Sequence, residues 1–261
     1  MYYPALLSIL LTGLLPASIA LGPDPGSIKN LTTFGDSYTD LSGIGDNGTA
    51  WPVYLAGYGN FTLHSKAPFV VQDELPAYFN LTQNGGVSLN PNETIYTLWI
   101  GTNDVGTNAL ITGDQTPGVS IVQVTQCAVN WVKTLYDSGA RNFLFQNMIP
   151  LNQTILYQWS IFMAELVAAG NELARLMLQN LAGSLPGAHI GLFDSYTLFR
   201  DMYDHPENYL NGTAPLNVTG EQIETASYDE LHPSEQADRH LPARLVDVIN
   251  RKNDNFTTWF S

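Results

Sequence analysis

Positive charge is scarce in this sequence. The 261 residues include 10 Lys and Arg against 24 Asp and Glu, so the formal net charge is −14 and the pI is near 4.4. A surface this acidic repels nucleic acids and anionic membranes, and we expect neither as a partner. Charged residues make up only 13% of the chain and hydrophobic residues 44%. This balance favours a folded domain with a substantial core over a disordered chain or a coiled coil.

Cysteine is almost absent, and the histidines are scattered. A single cysteine, Cys127, rules out a disulfide within the chain, and the five histidines show no zinc-ligand spacing. We therefore expect no metal and no other cofactor. Cys127 is interpreted as a small buried hydrophobe on a helix, the alternative being a cysteine whose disulfide partner is missing from this chain.

Long apolar runs are limited to the N-terminus. Residues 5–20 carry no charge and end in Ser18-Ile19-Ala20, a small-x-small cleavage pattern. The run is shorter than the roughly 20 residues of a membrane helix, although no Lys or Arg precedes it, as one would in most signal peptides. We predict a signal peptide over residues 1–20 and one mature domain over residues 21–261, with a retained anchor as the alternative. The protein is expected to be secreted and extracellular.

Glycosylation sequons are abundant, by contrast. Nine Asn-x-Ser/Thr triplets without a central proline occur, far more than chance predicts for this composition. Such sites are used in the secretory pathway, so they support secretion independently. The predicted glycosylation sites are Asn30, Asn47, Asn60, Asn80, Asn92, Asn152, Asn211, Asn217 and Asn255.

Strand and helix patterns alternate along the chain. Such alternation predicts an α/β fold with a parallel sheet covered on both faces. Ligands bind to such sheets beyond the carboxyl ends of the strands, so chemistry is expected directly after each strand. The predicted strands are Ile28–Phe34, Thr94–Ile100, Asn142–Ile149 and His189–Phe193, and the predicted helices cover residues 118–138, 154–182 and Pro233–Arg251.

Three polar motifs are candidates for catalysis. Gly35-Asp36-Ser37 follows the first strand, where glycine permits a sharp turn and a helix start exposes the serine hydroxyl. Taken alone, this motif is more often an ordinary turn with an N-cap.

The second motif, Gly101-Thr102-Asn103, follows the next long strand, where an Asn side chain can donate to an oxyanion. An Asx-turn is the alternative. The third motif pairs Asp229 with His232 near the C-terminus, a spacing that can place a carboxylate on one imidazole nitrogen. Its alternative is an acidic helix N-terminus.

The three motifs in this order resemble the SGNH (GDSL) hydrolases. The resemblance is closest to the secreted fungal acetylesterases grouped as carbohydrate esterase family 16. It implies a flavodoxin-like three-layer α/β/α fold and metal-free hydrolysis of small acyl esters. The acceptors would be acetylated oligosaccharides such as those of plant cell walls, and we expect a monomer. The stretches that carry the resemblance are Phe34–Asp40, Tyr96–Gly106, Tyr209–Gly220 and Asp229–Arg239.

The resemblance also assigns roles to individual residues. It makes Ser37 the nucleophile and one oxyanion donor, Asn103 the second donor, His232 the base and Asp229 its orienting acid. The supporting residues are Gly35, Asp36 and Gly101.

The sequence departs from the family at the second strand. Members carry a glycine after that strand as a third oxyanion donor. Here Phe61–His64 begins a possible strand, but no glycine follows before Gly85. We hypothesise that a segment after His64 has been lost, so that the fold lacks the region of the second strand. Losing one donor can cost about 10²–10³ in turnover.

Other functions stay open. A different SGNH lipase or lysophospholipase is one, although no clear lid or exposed apolar helix can be recognised. An inactive glycan-binding member is another, because of the missing glycine. The last is a metal-dependent phosphoesterase whose ligands would be Asp36, Asn103, Asp104, Asp229 and His232.

Three aromatic residues could line a sugar-binding face. They are Trp51, Tyr54 and Trp159. Core packing is the favoured interpretation for all three.

Overall fold

The computed structural model describes most of the chain after the predicted signal peptide. The described residues are 21–41, 49–64, 71–84, 86–210, 229–252 and 254–261. The predicted signal peptide, residues 1–20, lies outside them. Within the described part of the chain, no helix is both long and apolar enough to cross a membrane.

A six-stranded sheet organises the molecule, in the order β2-β1-β3-β4-β5-β6. The first five strands are parallel, and their order is the flavodoxin-like one. β6 pairs antiparallel with β5 at one edge, which the parallel prediction did not include. The strands are β1 Asn30–Gly35, β2 Thr62–His64, β3 Thr94–Trp99, β4 Asn142–Gln146, β5 His189–Phe193 and β6 Thr257–Trp259.

Helices cover both faces of this sheet and complete the predicted three-layer α/β/α fold. One buried cluster joins β3 residues such as Ile95 and Trp99 to α1, α6 and α7, and the other joins Tyr96 and Leu98 to α4 and α5. Alternate residues of β3 thus face opposite layers, as the pleat requires. The helices are α1 Trp51–Gly59, α2 Val71–Gln83, α3 Thr102–Val105, α4 Ile121–Asp137, α5 Ile161–Ala182, α6 Ser195–Asp204 and α7 Glu235–Ile249.

The predicted elements are confirmed, with shifts at their ends that have local causes. Ser120 caps α4 by accepting the Val122 N–H, so the helix begins at Ile121. Ser160 caps α5 in the same way, and the residues before it form a loop rather than the predicted start of the helix. Helices α1, α2 and α6 were not predicted, because they are short and the first two contain proline.

The second strand is present, which corrects the expectation that its region is missing. The described part of β2 pairs with β1 from Asn30↔Thr62 to Thr32↔His64. β3 pairs with the other side of β1 along its whole length, to Gly35↔Trp99. The second strand is therefore not absent, and residues 65–70, which follow it, lie outside the described part.

Candidate active site

The first predicted motif forms a tight turn at the carboxyl end of β1. Gly35 is the last strand residue, and a Cβ at this position would collide with the Thr39 side chain and the Trp99 carbonyl. Ser37 begins a 3₁₀ turn over Ser37–Thr39, which is capped by the Asp36 carboxylate at 3.1 Å from the Tyr38 nitrogen. This turn leaves Ser37 half-buried at the edge of the sheet where the parallel strands end.

The Asp229–His232 loop is stabilised by its own hydrogen bonds. One carboxylate oxygen of Asp229 accepts the N–H groups of Leu231 and His232, each at 2.7 Å. The other lies 2.8 Å from Nδ1 of His232. Partial burial raises the pKa of Asp229, but these backbone donors and the imidazole outweigh that effect and hold the pKa below its usual value. Asp229 is therefore ionised beside the ring.

The fold joins these two motifs. Nε2 of His232 lies 2.9 Å from Oγ of Ser37, although 195 positions separate the two residues. A carboxylate at Nδ1 favours the tautomer with its proton on that nitrogen, which leaves Nε2 free to accept one from the serine. The three predicted residues form a continuous Ser-His-Asp chain.

Tyr38 buttresses this chain and was not predicted. Its hydroxyl donates to the Leu231 carbonyl at 3.0 Å, and its ring contacts His232 edge-on with centroids 5.6 Å apart. The same ring also packs against Trp99. The only sequence signal for such a role is its position directly after Ser37.

Asn103 lies at the same edge of the sheet, after β3. It belongs to the short helix α3, and its side chain is exposed. Gly101, which precedes this helix, adopts φ +124°, and a Cβ there would lie 2.9 Å from the Met148 side chain. The strained turn that leads into the Asn103 segment therefore requires glycine. After β2, by contrast, the sequence has no glycine until Gly85.

Buried carboxyl groups lie beneath the serine turn. Burial raises the pKa of Asp36 to about 7; the Tyr38 N–H opposes the rise, and the charge of Asp104 adds to it. One oxygen of Asp36 has no partner among the described residues. Burial also raises the pKa of Asp104. Asp36 thus carries a proton over much of the acidic range.

The three candidate aromatic residues have different environments. Trp51 belongs to the core, as expected, and Tyr54 is partly buried against Glu235 and Arg239. Trp159 is 89% exposed, so the core prediction is wrong for this residue.

Trp159 forms an exposed patch with Leu156, Ile161 and Phe162, the last two at the start of α5. The Leu156 N–H bonds the Glu230 carbonyl at 2.9 Å, which links the patch to the His232 loop. The loop that leads into this exposed apolar helix end, which could not be recognised in the sequence, is thus hydrogen-bonded to the residue next to Asp229.

Two other predictions concern the surface. Cys127 is a free, exposed thiol on α4, so the prediction of a buried cysteine is wrong. No group of three His, Cys, Asp or Glu able to hold a metal occurs among the described residues. Of the sequons, Asn60, Asn80, Asn92 and Asn255 are exposed, Asn30 and Asn152 are partly buried, and Asn47, Asn211 and Asn217 lie outside the described part.

The flavodoxin-like sheet, with the three motifs described above, is that of a carboxylic ester hydrolase. Residues 31–245 match the GDSL-like Lipase/Acylhydrolase family, and the chain belongs to that family.

Relatives and solved structures are consistent with this assignment. The chain is 24% identical to an acetylesterase of Hypocrea jecorina, over 93% of this chain and 95% of the relative. That alignment spans 333 positions, so several dozen positions of the relative have no counterpart among the 261 residues here. A GDSL esterase/lipase of Arabidopsis thaliana is 24% identical over 59% of this chain, which spans about half of that relative.

The fold itself is shared with acetyl xylan esterases of known structure. A variant of the enzyme from Geobacillus stearothermophilus superimposes with a TM-score of 0.54 at 15% identity, over 89% of this chain and 99% of that one. The acetyl xylan esterase AlAXEase gives a TM-score of 0.52 at 15% identity, over 83% and 97%.

Proposed function

We propose that this protein is a serine esterase that releases short acyl groups, acetyl above all, through Ser37, His232 and Asp229. The observation that carries the proposal is the continuous hydrogen-bonded chain, 2.9 Å from serine to imidazole and 2.8 Å from imidazole to carboxylate. This is the arrangement that activates a serine hydroxyl for attack on a carbonyl.

The chemistry follows from the positions of these atoms. Ser37 Oγ attacks the acyl carbonyl while His232 Nε2 takes its proton, and Asp229 stabilises the imidazolium that forms. Asn103 and the Ser37 N–H donate to the oxyanion. The imidazolium then protonates the departing alcohol, which leaves an acyl-serine. Water, deprotonated by His232, attacks this ester and releases the carboxylic acid and the free serine.

An acetylated carbohydrate is the proposed substrate. The acetylesterase and acetyl xylan esterase relatives support this choice, as does the exposed ring of Trp159 beside the His232 loop. Aromatic side chains offer apolar faces together with a polar edge, which suits the mixed surface of a sugar. The acidic surface also suits a neutral substrate better than an anionic one.

A lipase-like activity on longer acyl chains is the second candidate. The exposed Leu156, Ile161 and Phe162 favour it, because they extend the patch around Trp159 with purely aliphatic and aromatic surface. Exposed apolar patches beside a site mark binding surfaces for apolar ligands or partners.

The first experiment measures release of p-nitrophenol from its acetate by the mature chain and by Ser37→Ala. Ser184→Ala is the control, because Ser184 lies in the loop before β5, at the amino ends of the strands. We expect turnover in wild type and control and none above background in Ser37→Ala, and no effect of EDTA. Activity that survives in Ser37→Ala refutes the serine mechanism, and sensitivity to EDTA favours the metal-dependent alternative. A folded wild type that binds acetylated glycans without turning them over identifies an inactive member.

The second experiment separates the two substrate classes. Activity on acetylated xylan and on p-nitrophenyl esters of increasing chain length is compared between wild type and Trp159→Ala. Loss on xylan with unchanged p-nitrophenyl acetate hydrolysis supports the carbohydrate substrate. Loss that grows with acyl length, with xylan unaffected, supports the lipase-like candidate.

We further propose that the protein is secreted, cleaved after Ala20, glycosylated and monomeric. The apolar leader and the exposed sequons support the first three properties. Expression in a eukaryotic host, with N-terminal sequencing and enzymatic deglycosylation, tests them, and sedimentation tests the fourth. A retained leader or an unchanged mass after deglycosylation contradicts the proposal.

A further inference from the structure

On its β2 side, β1 is paired only as far as Thr32 among the described residues. Successive N–H groups of a strand point alternately toward its two neighbours. The Asp36 N–H bonds the Trp99 carbonyl on the β3 side at 3.3 Å, so the Gly35 N–H points toward β2. The described pairing with β2 reaches only Thr32, opposite His64. Among the described residues, the Gly35 N–H therefore has no strand partner.

A side chain takes the place of that strand. Glu74, in the first turn of α2, accepts the Gly35 N–H at 3.0 Å with Oε2. Glu74 is 7% exposed and lies at a cavity of about 260 Å³ that His64 and Tyr78 also line. A buried carboxyl group is costly unless it is hydrogen-bonded, and the Gly35 N–H supplies that bond.

Gly35 is two residues from Ser37 and is confined on its other sides. Thr39 and the Trp99 carbonyl leave no room for even a Cβ there. The peptide that leads into the serine turn is therefore fixed by β3 on one side and by Glu74 on the other. Releasing the second contact frees the turn to shift relative to His232, and displacements of about 1 Å can cost about a hundredfold in rate.

We propose that Glu74 is a positioning residue for Ser37, holding the Gly35 peptide through the hydrogen bond that it accepts from the Gly35 N–H. The inference rests on the proposed role of Ser37 as nucleophile. Glu74 touches neither substrate nor reacting atoms and acts through the backbone of the serine turn.

The test compares Glu74→Ala, which removes the acceptor, with Glu74→Gln, which keeps an oxygen acceptor, in the full mature chain. Asp73→Ala, the exposed neighbour in the same turn, is the matched control. For each variant, kcat and KM on p-nitrophenyl acetate, the rate of serine labelling by a fluorophosphonate and the thermal melting curve are measured. Glu74→Met replaces Glu74→Ala if the latter does not fold, since it fills the same volume without an acceptor.

We expect Glu74→Ala to lower kcat and the labelling rate about ten- to a hundredfold per folded molecule, with KM changed less than about twofold. Glu74→Gln should recover most of the rate, and Asp73→Ala should match wild type. A lower melting temperature with unchanged kcat and labelling overturns the proposal, and so does equal impairment of Glu74→Ala and Glu74→Gln.

Ser37→Ala, assayed in the same experiment, distinguishes failure of the proposed function from failure of the positioning role of Glu74. If Ser37→Ala keeps wild-type turnover, the proposed function fails and the role of Glu74 fails with it. If Ser37→Ala is inactive while every Glu74 variant matches wild type, only the positioning role is overturned.

Discussion

The two flanks of β1 differ in completeness. Toward β3, the strand is paired along its whole length, and the Ser-His-Asp chain lies at the end of that pairing. Toward β2, the pairing among the described residues reaches only Thr32, and a cavity of about 260 Å³ lies on this side. The hydroxyls of Thr32 and Thr33 have no partner among the described residues on this flank. The continuous Ser37–His232–Asp229 hydrogen-bonded chain therefore coexists with a cavity on the other side of β1.

The departure from the family, the absence of a glycine between His64 and Gly85, lies after β2. The glycine donor that members carry would follow β2, whereas Ser37 follows β1 and Asn103 follows β3. If a segment after His64 has been lost, the loss removes an oxyanion donor and leaves the proton-transfer machinery in place. Whether turnover survives then depends on the remaining donors.

The largest effect is expected from Asp229→Asn on the complete flank. An amide cannot stabilise the imidazolium or favour the productive tautomer of His232, so kcat should fall by about 10⁴-fold. Hydrolysis of p-nitrophenyl acetate measures this, with Glu230→Gln, an exposed neighbour in the same loop, as control. A fall of less than about tenfold would mean that the hydrogen-bonded chain is not the catalytic one.

The next largest effect is expected from Asn103→Ala, which should lower kcat by about 10²–10³-fold. Its side chain is exposed, so thermal stability should change little. The exposed Asn130 on α4 offers a control, Asn130→Ala. An unaltered kcat in Asn103→Ala would show that the oxyanion is stabilised elsewhere, by residues of the incomplete flank.

The pH dependence of the free energy of unfolding tests whether the Glu74 carboxyl group is buried and titratable. Burial raises the pKa of Glu74 from its usual 4.5 to about 7; the Gly35 N–H opposes the rise and the charge of Asp36 adds to it. The native state therefore holds this proton more tightly than the unfolded chain. Its stabilising contribution is fully present below the unfolded value and is lost as pH rises to about 7. The loss is about 3 kcal/mol, because each tenfold difference in proton affinity between the two states corresponds to about 1.4 kcal/mol.

Urea unfolding between pH 4.5 and 8 measures this dependence in wild type and Glu74→Gln. The free energy of unfolding should change less steeply with pH in the variant, because its amide does not titrate. Part of the pH dependence should remain in the variant, because the pKa of the neighbouring Asp36 is also raised. His64 and Tyr78 are the other titratable residues that line the cavity with Glu74. Identical slopes in the two proteins would contradict the burial of an ionisable Glu74.

The smallest effect is expected inside the cavity. Thr33→Val removes a buried hydroxyl that has no described partner and should raise the free energy of unfolding by about 1 kcal/mol. Thr94→Val is the control, since the Thr94 hydroxyl donates to the Asn90 carbonyl at 2.8 Å and its loss should destabilise by a similar amount. Destabilisation by Thr33→Val would show that the hydroxyl is satisfied within the cavity.

Sequence patterns anticipated the complete flank far better than the incomplete one. β5 has the predicted bounds, and β1 and β3 end within a residue of theirs, because buried parallel strands form short apolar runs bounded by glycine or proline. The Asp229–His232 pair was recognisable because its contacts are local, three positions apart. Trp159 was misjudged because nothing in a sequence distinguishes an exposed tryptophan from a core one.

Sequence alone determined the alternation of strands and helices, the turn that presents Ser37 and the acid that orients His232. These depend on residues close together along the chain and on general preferences of strands and turns. Tertiary structure alone decided that Tyr38 contacts the His232 loop and that the Glu74 carboxyl group accepts the Gly35 N–H. Those contacts join distant segments, and their geometry depends on how α2 and the His232 loop pack, which local pattern does not encode.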